Sequence, residues 1–82
     1  MKITILTKTD CPMCNKLKMY IEHALKDDQK AKLDIILKED NEELFNELVK
    51  KHLVLAVPTA ILNDEAYPGL DPAKLSQLLK QV

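Results

Sequence analysis

The sequence predicts one α/β domain spanning residues 1–82 with the element order βαβαββα, and three observations carry that expectation. Residues Lys2 to Thr7 form a β-branched opening run with Ile3 and Ile5 on one face. Pro12 and Pro72 each begin a segment whose apolar residues recur at spacings of three and four, the mark of an amphipathic helix. Thr59-Ala60-Ile61-Leu62 and Glu65-Ala66-Tyr67 flank Asn63-Asp64, a pair suited to a tight hairpin turn.

Taken in order, the run Met1 to Thr7 gives the first strand. The helix opened by Pro12 carries a stripe of Cys14, Leu17, Ile21, Ala24 and Leu25. Asp27 to Lys32 is a polar connection into which that helix can fray. Leu33-Asp34-Ile35-Ile36-Leu37 has the length and composition of a buried strand. Asp40 with Glu43 has the spacing of a capping box, and Leu44, Phe45, Leu48 and Val49 continue from it as a helix ending near His52. Leu53 to Val57 is a short apolar approach to Pro58, and the hairpin follows. Asp71 before Pro72 repeats the cap-then-proline signature, with Leu75, Leu78, Leu79 and Val82 as the apolar stripe of the last helix.

Composition removes several functional classes. The 12 Lys and Arg residues stand against 13 Asp and Glu with no block of like charge, so neither nucleic acid nor an anionic membrane is an expected partner. No apolar run approaches the roughly 18 residues that span a bilayer, and the opening reads as a strand instead of a secretory signal. The cytoplasm is the expected location. Glycine occurs once, at Gly69, which excludes the glycine-rich loops that close backbone amides on phosphate. Two cysteines are too few for a disulfide-stapled scaffold or a four-cysteine zinc site, and no metal site is expected.

Cys11 and Cys14 are the chemical signal. Disulfide exchange proceeds by attack of a thiolate, and a helix N-terminus favours negative charge through its free amides and dipole. Cys11 stands at such a terminus. A thiol of pKa about 8.5 is only about 3% ionised at pH 7, whereas a pKa near 7 gives about half. Lys8 and Lys16 are placed to assist that ionisation and Asp10 to oppose it. Cys14, one turn further on the apolar stripe, is expected to point inward, stay protonated and resolve a mixed disulfide formed on Cys11. The plainer alternative is a pair of buried small apolar residues or a rigid bridge. Met13, between the cysteines, is the residue best placed to touch a substrate. Pro58 entering a strand is compatible with a cis bond that exposes the backbone of Val57 to an extended partner, or with an ordinary trans proline at a strand start. His23 is read as a solvated surface residue, His52 as a partner of its helix dipole, and Tyr20 and Phe45 as packing.

Lys8-Thr9-Asp10-Cys11-Pro12-Met13-Cys14 together with Val57-Pro58-Thr59 resembles the glutaredoxin and small thioredoxin family of thiol–disulfide oxidoreductases, over essentially the whole chain. Cys-Pro-x-Cys with a lysine three residues before the first cysteine is glutaredoxin-like, although Met13 stands where an aromatic is usual. Residues 1–7 and Gly69-Leu70-Asp71-Pro72 are similar to the glutaredoxin-like hydrogen donors of ribonucleotide reductase, which are served by thioredoxin reductase. Val57-Pro58-Thr59 is similar to thioredoxin, whose tryptophan before the first cysteine is absent here.

The resemblance implies a thioredoxin fold, a four-stranded mixed sheet flanked by helices, with Pro58 cis and opposite the cysteines. It implies catalysis by Cys11 and Cys14 and substrate binding by Lys8, Pro12, Met13, Val57, Pro58, Gly69 and Asp71. It further implies a monomer active in electron transport and redox homeostasis on protein disulfides, with no bound cofactor. The electron donor is then glutathione or a flavoprotein thioredoxin reductase. In glutathione-using members a Gly-Gly pair and a following acidic pair hold the peptide, where this chain reads Pro68-Gly69-Leu70-Asp71-Pro72. That favours the reductase, and Asp71 has an alternative role as a helix cap. Two rivals remain at this stage. One is a soft-metal carrier, since Thr9 to Cys14 is also similar to the thiolate pair of copper chaperones, whose element order is βαββαβ. The other is a redox-inert interaction module on the same fold.

Overall fold

A computed structural model describes residues 2–82; Met1, read from sequence as part of the first strand, lies outside the described residues. The elements are β1 (Ile3–Thr7), α1 (Pro12–Ala24), α2 (Asp27–Lys30), β2 (Leu33–Leu37), α3 (Glu42–His52), β3 (Thr59–Leu62), β4 (Glu65–Pro68) and α4 (Pro72–Leu79). Apart from the single-turn α2, this is the expected order. It is not the βαββαβ order of the soft-metal carriers.

The sheet runs β2-β1-β3-β4, with β1 parallel to β2 and antiparallel to β3, and β3 antiparallel to β4. Alternation along β1 sends Ile3 and Ile5 to one face and Leu6 to the other. The first face packs with Leu17, Ile21, Leu75, Leu78 and Leu79 of α1 and α4. On the opposite face Leu6, Ile36 and Ile61 pack with Phe45 of α3 and with Val54. Two helices therefore cover one side of the sheet and one covers the other.

Several local expectations need correction. Ala24 is exposed, because α1 ends there and the extended backbone of Leu25 swings that side chain into the core. The polar connection after it contains α2, begun where the Lys26 amide donates to Gln29 Oε1 at 2.9 Å. β2 is an edge strand, so Asp34 and Ile35 are exposed instead of buried. The cap of α3 is Asn41, whose Oδ1 accepts the Leu44 amide at 3.3 Å. Asp40 is taken up by the preceding turn, its amide donating to the Leu37 carbonyl at 3.0 Å. In the approach to Pro58, Val54 is buried but Leu53 and Leu55 are 81% and 97% exposed. Asn63 and Asp64 both adopt positive φ, as a tight hairpin turn requires.

The register fixes where chemistry can gather. Thr7 pairs with Leu37, Leu6 with Thr59, and Thr59 with Pro68. Accordingly the segments after β1, after β2, before β3 and after β4 all meet at one end of the sheet.

Candidate functional site

Cys11 caps α1. Its backbone is extended (φ −117°, ψ 108°), and its sulfur accepts the Cys14 amide at 3.2 Å, where Ser or Asp would cap most helices. Pro12 follows at the first helical position, as its missing donor allows. Cys14, one turn on, is fully buried, and both residues are free thiols.

This arrangement splits the two thiols. A hydrogen bond from the Cys14 side chain is the main influence holding Cys11 below the ordinary thiol value, opposed by burial and helped by the amides of Cys14 and Met13 and by the Lys8 charge. Burial pushes Cys14 up to about 11, and the hydrogen bond it gives to Cys11 adds to the rise. Of the two lysines expected to assist, Lys8 supplies attraction at Cys11.

The Cys11 sulfur is less open than the sequence suggests. The residue is only 7% exposed, while Pro12 and Met13, which follow it, are exposed, Met13 at 49%. Opposite Cys11 the Val57 carbonyl oxygen stands 4.0 Å from Sγ, and the Val57-Pro58 bond is cis. Pro58 is buried, and its carbonyl accepts the Leu70 amide at 3.0 Å, which ties the segment after β4 to the proline. Gly69 within that segment is exposed and adopts φ +64°, the conformation glycine tolerates best.

Lys8, Cys11, Pro12, Met13, Val57, Pro58 and Gly69 thus belong to the segments that meet at this end of the sheet. Asp71 fills its helix-cap role, with Oδ1 accepting the Lys74 amide at 2.8 Å. An open groove of about 230 Å³, which shares Val57 with the surroundings of Cys11, is lined by Lys8 and Lys38 and by Phe45, Val49, Leu55 and Val57 among its apolar walls. Lys38 was not legible as a site residue, because only the parallel pairing of β2 with β1 brings the segment after Leu37 alongside Lys8, and neither was Leu55, which reaches the groove on the irregular segment before β3. Among the described residues no three His, Cys, Asp or Glu side chains are grouped to hold a metal ion, and no helix is long and apolar enough to cross a membrane.

A family model for the thioredoxin domain matches residues 1–79. The chain belongs to the thioredoxin domain family. Its four-stranded mixed sheet with flanking helices is the thioredoxin-like fold. Among solved structures it is similar to the crystal structure of the thioredoxin-like protein BC3987, with 24% identity, a TM-score of 0.68, and coverage of 94% of this chain and 99% of that one. A point mutant of the same protein matches at 24% identity and TM-score 0.68, covering 95% of this chain and 99% of that one. No curated protein matches the chain. As a thioredoxin-family member with a neighbouring cysteine pair, it is a redox protein in the general sense, and the finer assignment rests on its own geometry.

Proposed function

We propose that the protein is a glutaredoxin-like thiol–disulfide oxidoreductase that reduces protein or small-molecule disulfides through a Cys11/Cys14 dithiol cycle. The observation that carries the reading is the Cys11 sulfur capping α1 with the buried, protonated Cys14 behind it. The Cys11 thiolate attacks one sulfur of a substrate disulfide, forms a mixed disulfide and releases the other sulfur as a thiolate that takes up a proton. Cys14 then loses its proton and attacks Cys11 Sγ. This frees the second substrate thiol and leaves a Cys11–Cys14 disulfide, so the substrate gains two electrons and the protein loses two.

In this reading Lys8, Pro12, Met13, Val57 and Gly69 form the substrate surface, buried Pro58 holds the Val57 backbone beside Cys11 as the edge that meets an extended partner, and Asp71 bounds the surface from the start of α4. A flavoprotein reductase of the thioredoxin reductase class returns the two electrons in preference to glutathione. The support is the Pro68-Gly69-Leu70-Asp71-Pro72 segment, which lacks a Gly-Gly pair and commits Asp71 Oδ1 to capping α4. The cytoplasm, where thiols stay reduced, suits this role.

The test is NADPH oxidation coupled to reduction of a disulfide substrate, run with thioredoxin reductase and, separately, with glutathione plus its reductase. Turnover with the first, lost in Cys11→Ser, is expected. Retained turnover in Cys11→Ser rejects the assignment of Cys11, and turnover only with glutathione rejects the assignment of the donor.

A further inference from the structure

The loop that delivers Cys11 has no apolar anchor of its own. Lys8, Thr9 and Asp10 are all exposed, and Asp10 takes φ +55°, a left-handed conformation uncommon outside glycine and more accessible to Asp than to most residues. Besides a backbone hydrogen bond from Lys8 to the Cys14 side chain, the loop is held from the segment after β2. The Lys38 amide donates to the Thr7 carbonyl at 2.9 Å, and two residues later in the loop the Thr9 amide donates to Glu39 Oε1 at 2.9 Å. Consecutive residues of one connection therefore hold consecutive stretches of the other, the first by backbone and the second by a side chain. A carboxylate accepting a backbone amide makes a charge-assisted bond, stronger than a neutral one.

We propose that Glu39 is a positioning residue for Cys11: by accepting the Thr9 amide it fixes the Lys8–Asp10 loop, and so the extended backbone that lets the Cys11 sulfur cap α1. The inference builds on the reading of Cys11 as the nucleophile. Two effects of Glu39 oppose each other. The hydrogen bond favours the reactive geometry, while the negative charge of Glu39, in a connection that also carries Lys38 and Asp40 and is bonded to the loop that carries Lys8 and Asp10, disfavours a thiolate nearby. Substitutions that separate reach from charge distinguish them.

The experiment measures the rate at which iodoacetamide alkylates Cys11 across pH 6–9 in the fully reduced protein, with the adduct located by mass spectrometry and folding checked by circular dichroism. Glu39→Gln keeps an acceptor of the same reach without the charge, and it should match or exceed the wild-type rate. Glu39→Asp keeps the charge but falls a methylene short. Glu39→Asp and Glu39→Ala should each react about fivefold more slowly at pH 7, the scale of one lost hydrogen bond, with the rate profile displaced to higher pH. Rates that follow charge alone, with Asp like wild type and Gln like Ala, overturn the proposal, as does equal reactivity in all four proteins. If Glu39→Ala does not fold, the comparison of Glu39→Asp with wild type decides. Alkylation needs no disulfide turnover, so loss of the oxidoreductase reading and loss of this one show up in different assays.

Discussion

The Cys11 sulfur accepts the backbone amide of Cys14 at 3.2 Å, so a residue three positions into α1 supplies both the capping donor and the partner thiol. One local contact thereby does two things: it completes a helix terminus and biases which cysteine ionises first. The two thiols shift in opposite directions: Cys11 is lowered chiefly by the Cys14 side-chain hydrogen bond, with help from that amide, and Cys14 is raised to about 11 chiefly by burial in the core.

Those shifts predict a dome in the pH dependence of stability of the reduced protein. Cys11 ionises more easily folded than unfolded, so its contribution is full above the unfolded thiol value and is lost as pH falls through the lowered folded value. Cys14 behaves oppositely. Between the ordinary thiol value and about 11 the unfolded chain has released this proton and the folded one has not, so stability falls as pH rises across that window. The loss is roughly 2–3 kcal/mol over the full window. Urea denaturation from pH 6 to 11 checks this, and Cys14→Ala should flatten the alkaline limb.

Gly69 and Leu53 test backbone conformation apart from packing. Nothing lies within 4 Å of a Cβ added at Gly69, yet its φ of +64° makes Gly69→Ala unfavourable by about 1 kcal/mol. Leu53 holds φ +53° at the C-terminus of α3 with its side chain 81% exposed, so Leu53→Gly should stabilise by about 0.5–1 kcal/mol. Denaturation midpoints of the two variants should move in opposite directions.

Asp71 tests the cap of α4. Asp71→Ala should cost about 1 kcal/mol, while Asp71→Asn, which keeps an oxygen for the Lys74 amide, should stay within a few tenths of wild type. Chemical denaturation reads the difference.

Much of this fold was legible because its elements announce themselves locally. Pro12 and Pro72 stand at the starts of α1 and α4, Asn63-Asp64 turns the hairpin, and Ile3 and Ile5 occupy one buried face. The errors fell where neighbours in space decide. Ile35 reads as buried until β2 proves to be an edge strand, and Asp40 reads as a cap until the turn after β2 takes it. In the site, the spacing of Cys11 and Cys14 pointed to thiol chemistry directly, and Pro58, open between cis and trans from its own residues, pointed to a place opposite them only through the family resemblance. Glu39 and Leu55 did not. Their relation to the cysteine loop exists only through the parallel register of β2 on β1 and the path of residues 53–57, which buries Val54 and exposes Leu55, and neither leaves a local trace in composition or periodicity.

The central claim is that Cys11 makes the first covalent bond to a substrate and Cys14 breaks it. Reduced Cys14→Ser protein mixed with a disulfide-containing protein and examined by non-reducing mass spectrometry tests it most directly. The expected result is a stable mixed disulfide mapped to Cys11, absent in Cys11→Ser. A Cys14→Ser protein that forms no adduct at Cys11, while the wild type reduces the same substrate, contradicts it.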